Sequence, residues 1–393
     1  MAVPKLRFKE FLGDWSKSTL GNISEIFDGT HQTPKYVDSG VKFVSVENIN
    51  DLYSTDKYIT KDAFDADFKN KPRANDILMT RITAGEIGAT AIVKNDEPLG
   101  YYVSLALIRP NNYCLSGYLN QYISTNIFKN ELHKRIIHTA FPKKINLGDI
   151  NDCEVSYPSK DEQTKIANFL TAVDEKISQL NEQHQLMLQY KKGVMQKIFS
   201  QEIRFKDDNG EEFGEWEERI LEDVSIIIMG SSPKSENYNE LGIGLPLLQG
   251  NADIKNRKSC PRNFTTEITK ECDVGDILMS VRAPVGYVSK AMHDACIGRG
   301  IAAIRVKENN NQEFLYQYLI HMEDIWGKFS QGSTFDSVNS EQIRNLSIFI
   351  PCLQEQTKIA DFLTKLDDKI EKVALQLEQV KMWKKGLLQQ MFV

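Results

Sequence analysis

The chain has 393 residues, which is enough for two to three domains of ordinary size. Hydrophobic residues make up 41% of it and charged residues 26%, so a disordered, collagen-like or low-complexity chain is excluded. The net charge of −6 argues at first against a nucleic-acid partner, but residues 207–223 hold nine acidic residues against Arg219 alone. The rest of the chain then carries about +2, so the acidity belongs to one connector.

Signals for export, membrane insertion and metal binding are missing from the sequence. No apolar run approaches the roughly 20 residues of a membrane-spanning helix, and the charged first ten residues lack the core of a signal peptide. We therefore expect a cytoplasmic protein with no membrane partner. The six cysteines form no CxxC pair, and the six histidines do not pair at i, i+4. Reduced thiols and no bound metal are expected.

Two regions of the chain alternate short apolar runs with turn signals, a pattern that predicts strands. In residues 1–157 the strand-like runs are 41–46, 76–79, 88–93 and 103–108, followed by a helical stretch at 117–133. In residues 201–350 the runs are 245–248, 276–280 and 300–306, followed by a helical stretch at 312–328. Each region is predicted to be one mixed α/β domain.

Each of these domains is followed by a copy of the same sequence. Residues 158–199 match residues 351–392 without a gap, with about 19 of 42 positions identical. The duplication extends into the domains, where the matching segments are 6–9 with 203–206 and 75–79 with 275–279. The predicted fold class is α+β, with an internal pseudo-two-fold repeat. Its parts are domain 1 (1–157), a central long helix (158–200), domain 2 (201–350) and a C-terminal long helix (351–393).

The repeated segments have the alternating three-and-four spacing of a heptad seam. The seam positions are Ile166, Leu170, Val173, Ile177, Leu180 and Met187 in the central helix, and Ile359, Leu363, Leu366, Ile370, Val373, Leu377 and Val380 in the C-terminal helix. A narrow apolar stripe needs a partner, and the duplicated copy supplies one. We predict that the two helices separate the domains and form an antiparallel coiled coil. The alternative is that each helix packs only on its neighbouring domain.

Polar residues within these helices carry two further predictions. Lys191 and Lys384 occupy core-type positions of the seam, where they are predicted to fix the register. Ser159 and Glu162 stand at the spacing of a capping box, which predicts the start of the central helix.

The sequence carries no recognisable catalytic signature. It lacks a GxxxxGK[ST] phosphate loop, a GxSxG elbow, an HExxH zinc motif and the Asn-Pro-Pro-Tyr-like motif of adenine methyltransferases. Gly298-Arg299-Gly300 alone is a weak phosphate-binding signal. A binding protein is therefore favoured over an enzyme.

Basic clusters are the remaining chemical signal, and one occurs in each domain. Residues 133–144 and residues 255–262 are rich in Lys and Arg, which neutralise phosphates and read base edges in a major groove. An ordinary solvated surface is the alternative for each cluster. The candidate DNA contacts are Arg73, Arg81, Arg135, Lys143 and Lys144 in the first domain, and Arg257, Lys258, Arg262, Arg282 and Arg299 in the second.

Over essentially its whole length the chain resembles the specificity subunit of type I restriction-modification systems. The resemblance depends mainly on the two long helices, which share an EQTKIA start and a KKG end. The segments that carry it are the helix starts at Pro158 and Pro351, the helix ends at Lys191 and Lys384, the domain starts at Leu6 and Ile203, and the stretch Gly332-Ser333-Thr334-Phe335. The first domain departs from that last pattern, with His138-Thr139-Ala140-Phe141 instead.

The resemblance implies a non-catalytic subunit with two target-recognition domains, each of which reads one half of a bipartite, asymmetric double-stranded DNA target. It also implies that the helices set the spacer between the half-sites and dock two methyltransferase subunits, and that restriction subunits join the full complex. No cofactor is expected in this chain, whereas S-adenosylmethionine, ATP and Mg²⁺ would belong to partner subunits. The competing hypotheses are a coiled-coil scaffold whose domains bind other ligands and a self-contained methyltransferase.

Overall fold

The computed structural model describes residues 3–324, 326 and 337–393. They form two compact units, which we call unit 1 (Met1–Asn181 with Leu375–Val393) and unit 2 (Glu182–Ala374). Each unit therefore combines one α/β domain with one half of each long helix. The stretch Gly332-Ser333-Thr334-Phe335 and the end of the predicted helical stretch 312–328 lie outside the described residues.

Unit 1 is built from short strands and short helices that precede a long helix. Its strands are β1 (Ser16–Thr19), β2 (Ser24–Asp28), β3 (Val41–Val44), β4 (Tyr58–Ile59), β5 (Ile77–Thr80), β6 (Ile82–Thr83), β7 (Thr90–Ile92), β8 (Leu99–Tyr101), β9 (Leu105–Pro110), β10 (Lys143–Lys144) and β11 (Glu154–Tyr157). Its helices are α1 (Leu20–Ile23), α2 (Lys61–Asp67), α3 (Ser116–Ile123), α4 (Asn126–His133), α5 (Leu147–Asn151) and the first part of α6 (Lys160–Phe199).

The strands of unit 1 form two main sheets. An antiparallel four-stranded sheet has the order β2-β9-β5-β7, and a three-stranded sheet has the order β4-β3-β8 with β3 and β8 parallel. Two further pairs, β1 with β11 and β6 with β10, are separate ribbons. All four residues of β5 are buried, which explains why its sequence is a continuous apolar run.

Alternate side chains of β5 enter two different hydrophobic cores, because successive residues of a strand point to opposite faces. Ile77 and Met79 join the core that contains α3 and α6, whereas Leu78 joins the core formed with the three-stranded sheet. The four-stranded sheet is therefore covered on both faces.

Unit 2 repeats this plan with a larger set of strands. Its strands are β12 (Glu217–Ile220), β13 (Ser225–Met229), β14 (Tyr238–Asn239), β15 (Leu245–Leu248), β16 (Ile254–Lys255), β17 (Lys258–Ser259), β18 (Asn263–Thr265), β19 (Glu271–Cys272), β20 (Ile277–Ser280), β21 (Val288–Lys290), β22 (Ala295–Ile297), β23 (Ile301–Val306) and β24 (Ser347–Ile350). Its helices are the end of α6, α7 (Leu221–Val224), α8 (Gln312–His321), α9 (Ser340–Arg344) and the first part of α10 (Leu353–Gln390).

Both main sheets of unit 2 have two more strands than their counterparts in unit 1. A six-stranded sheet has the order β13-β23-β20-β21-β17-β16, and a five-stranded sheet has the order β14-β18-β15-β22-β19. Strands β16 and β17, which extend the first sheet, come from the basic cluster at 255–262. Ile277 and Met279 enter the core with α8 and α10, and Leu278 enters the second core, as in unit 1.

The long helices pack against each other with antiparallel chain directions in each unit. In unit 1, Leu170 and Val173 of α6 share a core with Leu387 in the last turn of α10 and with Met391 directly after it. In unit 2, Ile198 at the end of α6 shares a core with residues at the start of α10. The predicted antiparallel coiled coil is confirmed, and the alternative in which each helix packs only on its neighbouring domain is wrong.

The predicted seam is the face that is covered. Its half-buried members are Ile177, Met187, Leu366 and Val380, and its other members are buried. The predicted strands also appear, with boundaries that differ by at most two residues. The apolar periodicity of the sequence thus identified the packed face of each helix.

The two lysines of the seam are neutralised in equivalent ways. Lys191 Nζ donates to both carboxylate oxygens of Asp367, at 2.6 and 2.8 Å, and Lys384 Nζ lies 2.5 Å from Asp174. Each aspartate also accepts a 2.8 Å hydrogen bond from a glutamine of the adjoining domain, which is Gln121 or Gln317. A charged group at such a core-type position is satisfied in only one alignment of the helices.

The predicted capping box at the start of α6 is only half formed. The Glu162 N–H donates to Ser159 Oγ at 3.5 Å, but the Glu162 carboxylate accepts two 2.7 Å hydrogen bonds from Arg7. At the start of α10, Glu355 binds Arg204 in the same way and also accepts from Trp216 Nε1 at 3.2 Å. The Glu162 hydrogen bonds raise the pKa of Arg7. The carboxylate serves a contact that is distant in sequence rather than a local cap.

The segment that leads into each domain is attached to the end of a long helix. The Leu6 N–H donates to the Gln390 carbonyl at 2.9 Å, and the Ile203 N–H donates to the Lys197 carbonyl at 3.1 Å. These two contacts are equivalent under the internal repeat, although only the second joins residues that are close in sequence.

All six cysteines are free, and four of them are buried. Within residues 3–324, 326 and 337–393, no helix is long and apolar enough to cross a bilayer. The same residues include no group of three or more His, Cys, Asp or Glu side chains placed to hold a metal ion.

Candidate nucleic-acid interface

Four loops of unit 2 meet at one end of its domain, where strands of both sheets terminate. The Gly298 N–H donates to the Leu248 carbonyl at 2.8 Å, and the Val281 N–H donates to the Gly300 carbonyl at 3.0 Å. The loops at this end, which we call loop end 2, are residues 230–232, 249–251, 281–285 and 298–300.

Glycine residues allow the loops of loop end 2 to approach closely. A Cβ atom on Gly230 would lie 2.2 Å from the carbonyl oxygen of Gly298, and one on Gly300 would lie 2.2 Å from that of Gln249. Both distances are far below van der Waals contact with backbone, so only glycine is accommodated. This packing holds Arg299 at the tip of the turn between β22 and β23.

Loop end 2 presents two arginines together. The side chains of Arg282 and Arg299 are exposed, and neither forms a hydrogen bond or ion pair with any residue that the structure describes. Ser232 and Asn251 lie beside them, since Ser232 Oγ accepts the Arg299 N–H at 3.1 Å and Asn251 Nδ2 reaches the Pro284 carbonyl at 3.4 Å. Such a group of Arg, Ser and Asn side chains suits both phosphate oxygens and base edges.

Unit 1 forms a corresponding loop end after β5. The Arg81 N–H donates to the Ser104 carbonyl at 2.9 Å, the Ile145 N–H donates to the Arg81 carbonyl at 3.0 Å, and the Val103 N–H donates to the Thr30 carbonyl at 2.9 Å. The loops at this end, which we call loop end 1, are residues 29–32, 81–87, 102–104 and 141–145.

Two of the predicted lysines lie on loop end 1. Lys143 and Lys144 form β10, in which they pair with Thr83 and Ile82 of β6. Both lysine side chains are exposed and make no ion pair within the part of the chain that the structure describes. They give this end of the domain a positive surface.

Arg81 has a different position from the one expected of a DNA contact. Only 6% of the residue is exposed, and its guanidinium donates to both oxygens of Asp28, at 2.9 and 3.1 Å, and to the Ile145 carbonyl at 3.1 Å. The side chain thus joins the end of β2 to the segment that follows β10. Its contacts support a role in positioning loop end 1 rather than direct contact with DNA.

The basic cluster at 255–262 is largely engaged inside unit 2. Arg257 donates to both oxygens of Glu323, at 2.6 and 2.8 Å, and to the Val288 carbonyl at 2.8 Å. Burial disfavours the Arg257 charge, but these bonds to Glu323 outweigh it and raise the pKa. Lys258 pairs with Glu371 of α10 at 2.7 Å.

The remaining predicted arginines lie outside the loop-end segments, although Arg262 borders loop end 2 because its partner Asp253 also accepts the Gln249 N–H at 2.8 Å. Arg262 Nε donates to Asp253 at 2.9 Å, and Arg135 binds Glu131 at 2.8 Å and the Asp152 carbonyl at 3.1 Å. Arg73 is exposed but lies before β5, at the end of that strand opposite to loop end 1. Of the ten candidates, the structure brings Lys143 and Lys144 together on one loop end, and Arg282 and Arg299 on the other.

Sequence reasoning missed two residues of loop end 1. Phe141 is 93% exposed beside the two lysines, and His31 pairs with Asp28 at 2.7 Å. Phe141 is the one phenylalanine within the basic stretch 133–144, and that was the available signal, because exposed aromatic rings next to cations are suited to nucleic-acid bases. No local pattern distinguishes His31.

Comparison with known proteins identifies two copies of one family in the chain. The model of the type I restriction modification DNA specificity domain matches residues 13–189 and again residues 214–382. A relative from Methanocaldococcus jannaschii, assigned as the specificity subunit of the type I restriction enzyme MjaX, is 32% identical over 406 residues. That alignment covers 98% of this chain and 94% of the relative.

Solved structures share the fold over the whole chain. The crystal structure of a type I restriction-modification S subunit from M. genitalium has a TM-score of 0.67 at 16% identity and covers 100% of this chain and 99% of its own. A chain from a study of assembly and conformational transition of a type I R-M system has a TM-score of 0.58 at 22% identity, with 96% and 97% covered.

Proposed function

The chain belongs to the family of type I restriction-modification specificity subunits, and from that premise we propose how its parts act. Loop end 1 and loop end 2 each read one half of a bipartite, asymmetric DNA target. The paired helices set the spacer between the half-sites and dock two methyltransferase subunits. The chain itself is non-catalytic, acts in the cytoplasm, and joins restriction subunits in the full complex.

One observation supports this proposal above the others: the same sheet framework is present twice, and it presents different side chains at equivalent ends. Loop end 1 presents Lys143 and Lys144, whereas loop end 2 presents Arg282 and Arg299. Arg282 occupies the position of Ile82, because its backbone bridges Ser337 as that of Ile82 pairs with Lys144. Lysine and arginine both neutralise phosphates and can donate to guanine, but the guanidinium is a rigid planar fork, whereas the lysine ammonium is a compact charge on a flexible stem. Two readers that differ in this way favour two different half-sites.

The chemistry of methyl transfer and DNA cleavage is assigned to partners. The sequence lacks the motifs that would bind S-adenosylmethionine or ATP, so we propose that these cofactors and Mg²⁺ are held by the methyltransferase and restriction subunits. This chain then supplies only the position of the complex on DNA.

The proposal is tested by duplex binding of the chain in complex with its methyltransferase subunit. Arg282→Ala and Arg299→Ala are each expected to lower affinity, by about 1–3 kcal/mol if the side chain reads a base, or to reduce the salt slope by about 1 if it binds phosphate. Arg219→Ala is the matched control, because Arg219 lies on β12 and pairs with Glu217. Affinity and salt slope that both match those of Arg219→Ala in the two loop variants would contradict the assignment of loop end 2.

Methylation mapping separates the two readers. Lys143→Ala with Lys144→Ala is expected to weaken selection of one half-site, and Arg282→Ala with Arg299→Ala to weaken selection of the other. If both double variants relax the same half-site, the assignment of one reader to each unit is wrong.

A further inference from the structure

Two glycines lie within the long helices at equivalent positions. Gly193 lies in α6 and Gly386 lies in α10, 193 residues later, which is the offset of the internal repeat. Glycine is the least favourable residue except proline inside a helix. A Cβ atom at either position would meet nothing within 4 Å among the described residues outside its own helix backbone, and neither glycine has a positive φ. Neither internal packing nor backbone conformation therefore requires a glycine here.

Each of these glycines lies beside an exposed aromatic ring. Tyr190 and Trp383 precede Gly193 and Gly386 by three residues, which places each pair on the same side of its helix. The rings are 57% and 52% exposed, and Leu186, one turn before Tyr190, is 57% exposed. Apolar side chains that remain exposed together indicate an interaction surface.

We propose that Tyr190 with Gly193 and Trp383 with Gly386 form two equivalent docking notches, each of which receives a helix of one methyltransferase subunit. This inference rests on the proposed function, in which two such subunits bind. The absence of a Cβ allows a partner's backbone to approach the helix closely, and the adjacent ring supplies a large apolar contact.

The repeat argues for two copies of one partner protein rather than for self-association. The ring, the two lysines that follow it and the glycine recur 193 residues apart, so the chain presents the same ring-and-glycine pair twice, although the polar Gln379 stands where the first copy has Leu186. Two copies of a single partner then complete a closed assembly of defined size. Self-association through two patches on every chain would instead tend to produce open chains of copies.

Gly193→Ala and Gly386→Ala test the notches, because the proposal predicts opposite effects on folding and on binding. Alanine is the better helix former, so each variant should unfold at the same temperature as the wild type or higher. Each added methyl group should nevertheless lower the affinity at one of the two notches about tenfold, because a close-packed contact cannot accommodate it. Calorimetric titration of the full chain with the methyltransferase subunit measures both affinities, and native mass spectrometry counts the bound copies.

Gly148→Ala is the matched control for the substitution itself. Gly148 lies in helix α5, and a Cβ there also meets nothing within 4 Å among the described residues. This variant should bind two methyltransferase copies like the wild type. Tyr190→Ala and Trp383→Ala should each reduce the number of tightly bound copies from two to one.

The outcomes distinguish this inference from the function on which it rests. If the wild-type chain binds no methyltransferase subunit, the proposed docking function fails. If the wild type binds two copies and both Gly→Ala variants bind them with unchanged affinity, the notches are refuted while the docking function stands. Self-association of the chain alone that is lost in Gly193→Ala would also overturn the proposed occupant.

Discussion

Replacing Asp367 by asparagine removes the charge that neutralises a buried lysine of the helix seam. Lys191 and Asp367 are in contact at 2.6 and 2.8 Å, and their side chains are 11% and 40% exposed. Loss of one partner of a fully buried ion pair costs about 3–5 kcal/mol. Because two fifths of the Asp367 side chain is exposed to screening solvent, we expect Asp367→Asn to lose about 1–3 kcal/mol of the free energy of unfolding.

Urea unfolding of the full chain, followed by the helical circular dichroism signal, measures this loss. Asp368→Asn is the matched control, because Asp368 is the next residue, is exposed and has no ion pair with any described residue. The double variant Lys191→Met with Asp367→Leu should recover most of the stability, since a packed apolar pair replaces a buried charge. Equal unfolding midpoints for Asp367→Asn and Asp368→Asn would refute the reasoning, as would a double variant less stable than the single one.

The stability lost in Asp367→Asn is expected to depend on pH. Burial lowers the pKa of Lys191, and Asp367 offsets only part of that shift. Between the lowered folded-state value and the ordinary lysine value, the unfolded chain binds more protons, so stability rises with pH in that window. Asp367→Asn should lower the folded-state pKa of Lys191 further, so the pH range in which stability rises should begin at a lower pH. The difference in unfolding free energy between this variant and the wild type should therefore shrink as the pH rises. A deficit that is constant across alkaline pH would contradict this account.

Three further substitutions or insertions test the fold and the spacer. Gly244→Ala should lower the free energy of unfolding by about 2–4 kcal/mol, because φ is +86° and a Cβ would lie 2.0 Å from a carbonyl oxygen of β18. Gly242→Ala, where φ is +79° and the space is open, should lower it by only about 1 kcal/mol, and equal unfolding midpoints for the two variants would contradict the predicted steric clash. Trp216→Phe should lower the free energy of unfolding by about 2 kcal/mol, because packing and the hydrogen bond to Glu355 are lost. An unfolding midpoint equal to that of the wild type would show that Trp216 does not stabilise this junction. A four-residue insertion within residues 180–187 should lengthen the unread spacer in methylation maps, and altered half-sites would refute the assignment of spacing to the helices.

The sequence predicted the helix pair well because its signal is long and periodic. Seam residues such as Leu170 and Leu363 recur at heptad spacing in both copies, so a regular pattern specified which face is buried. Short buried strands such as β5 were found from continuous apolar runs. Their partners were not predictable, since strand order depends on contacts that are distant in sequence.

The candidate site was predicted less well, because exposure and proximity are tertiary properties. Arg257 and Arg282 cannot be distinguished by residue type. Only the structure shows that Arg257 binds Glu323, whereas the Arg282 side chain is exposed. The capping-box prediction failed at Glu162 for the same reason, because its partner Arg7 lies 155 residues away. Local spacing identifies the residue types that a site needs, and folding decides which of them remain available.

The repeated attachment of each lead-in segment to a helix end has an evolutionary consequence. Leu6 is anchored at Gln390 by the same backbone contact that anchors Ile203 at Lys197, so both domains leave the helical framework through interchangeable junctions. Under the proposed function, exchange of the segment between these junctions would replace one reader while the helix ends keep equivalent backbone contacts. Such exchange would create new combinations of half-sites while the machinery that assembles on the helices stays the same.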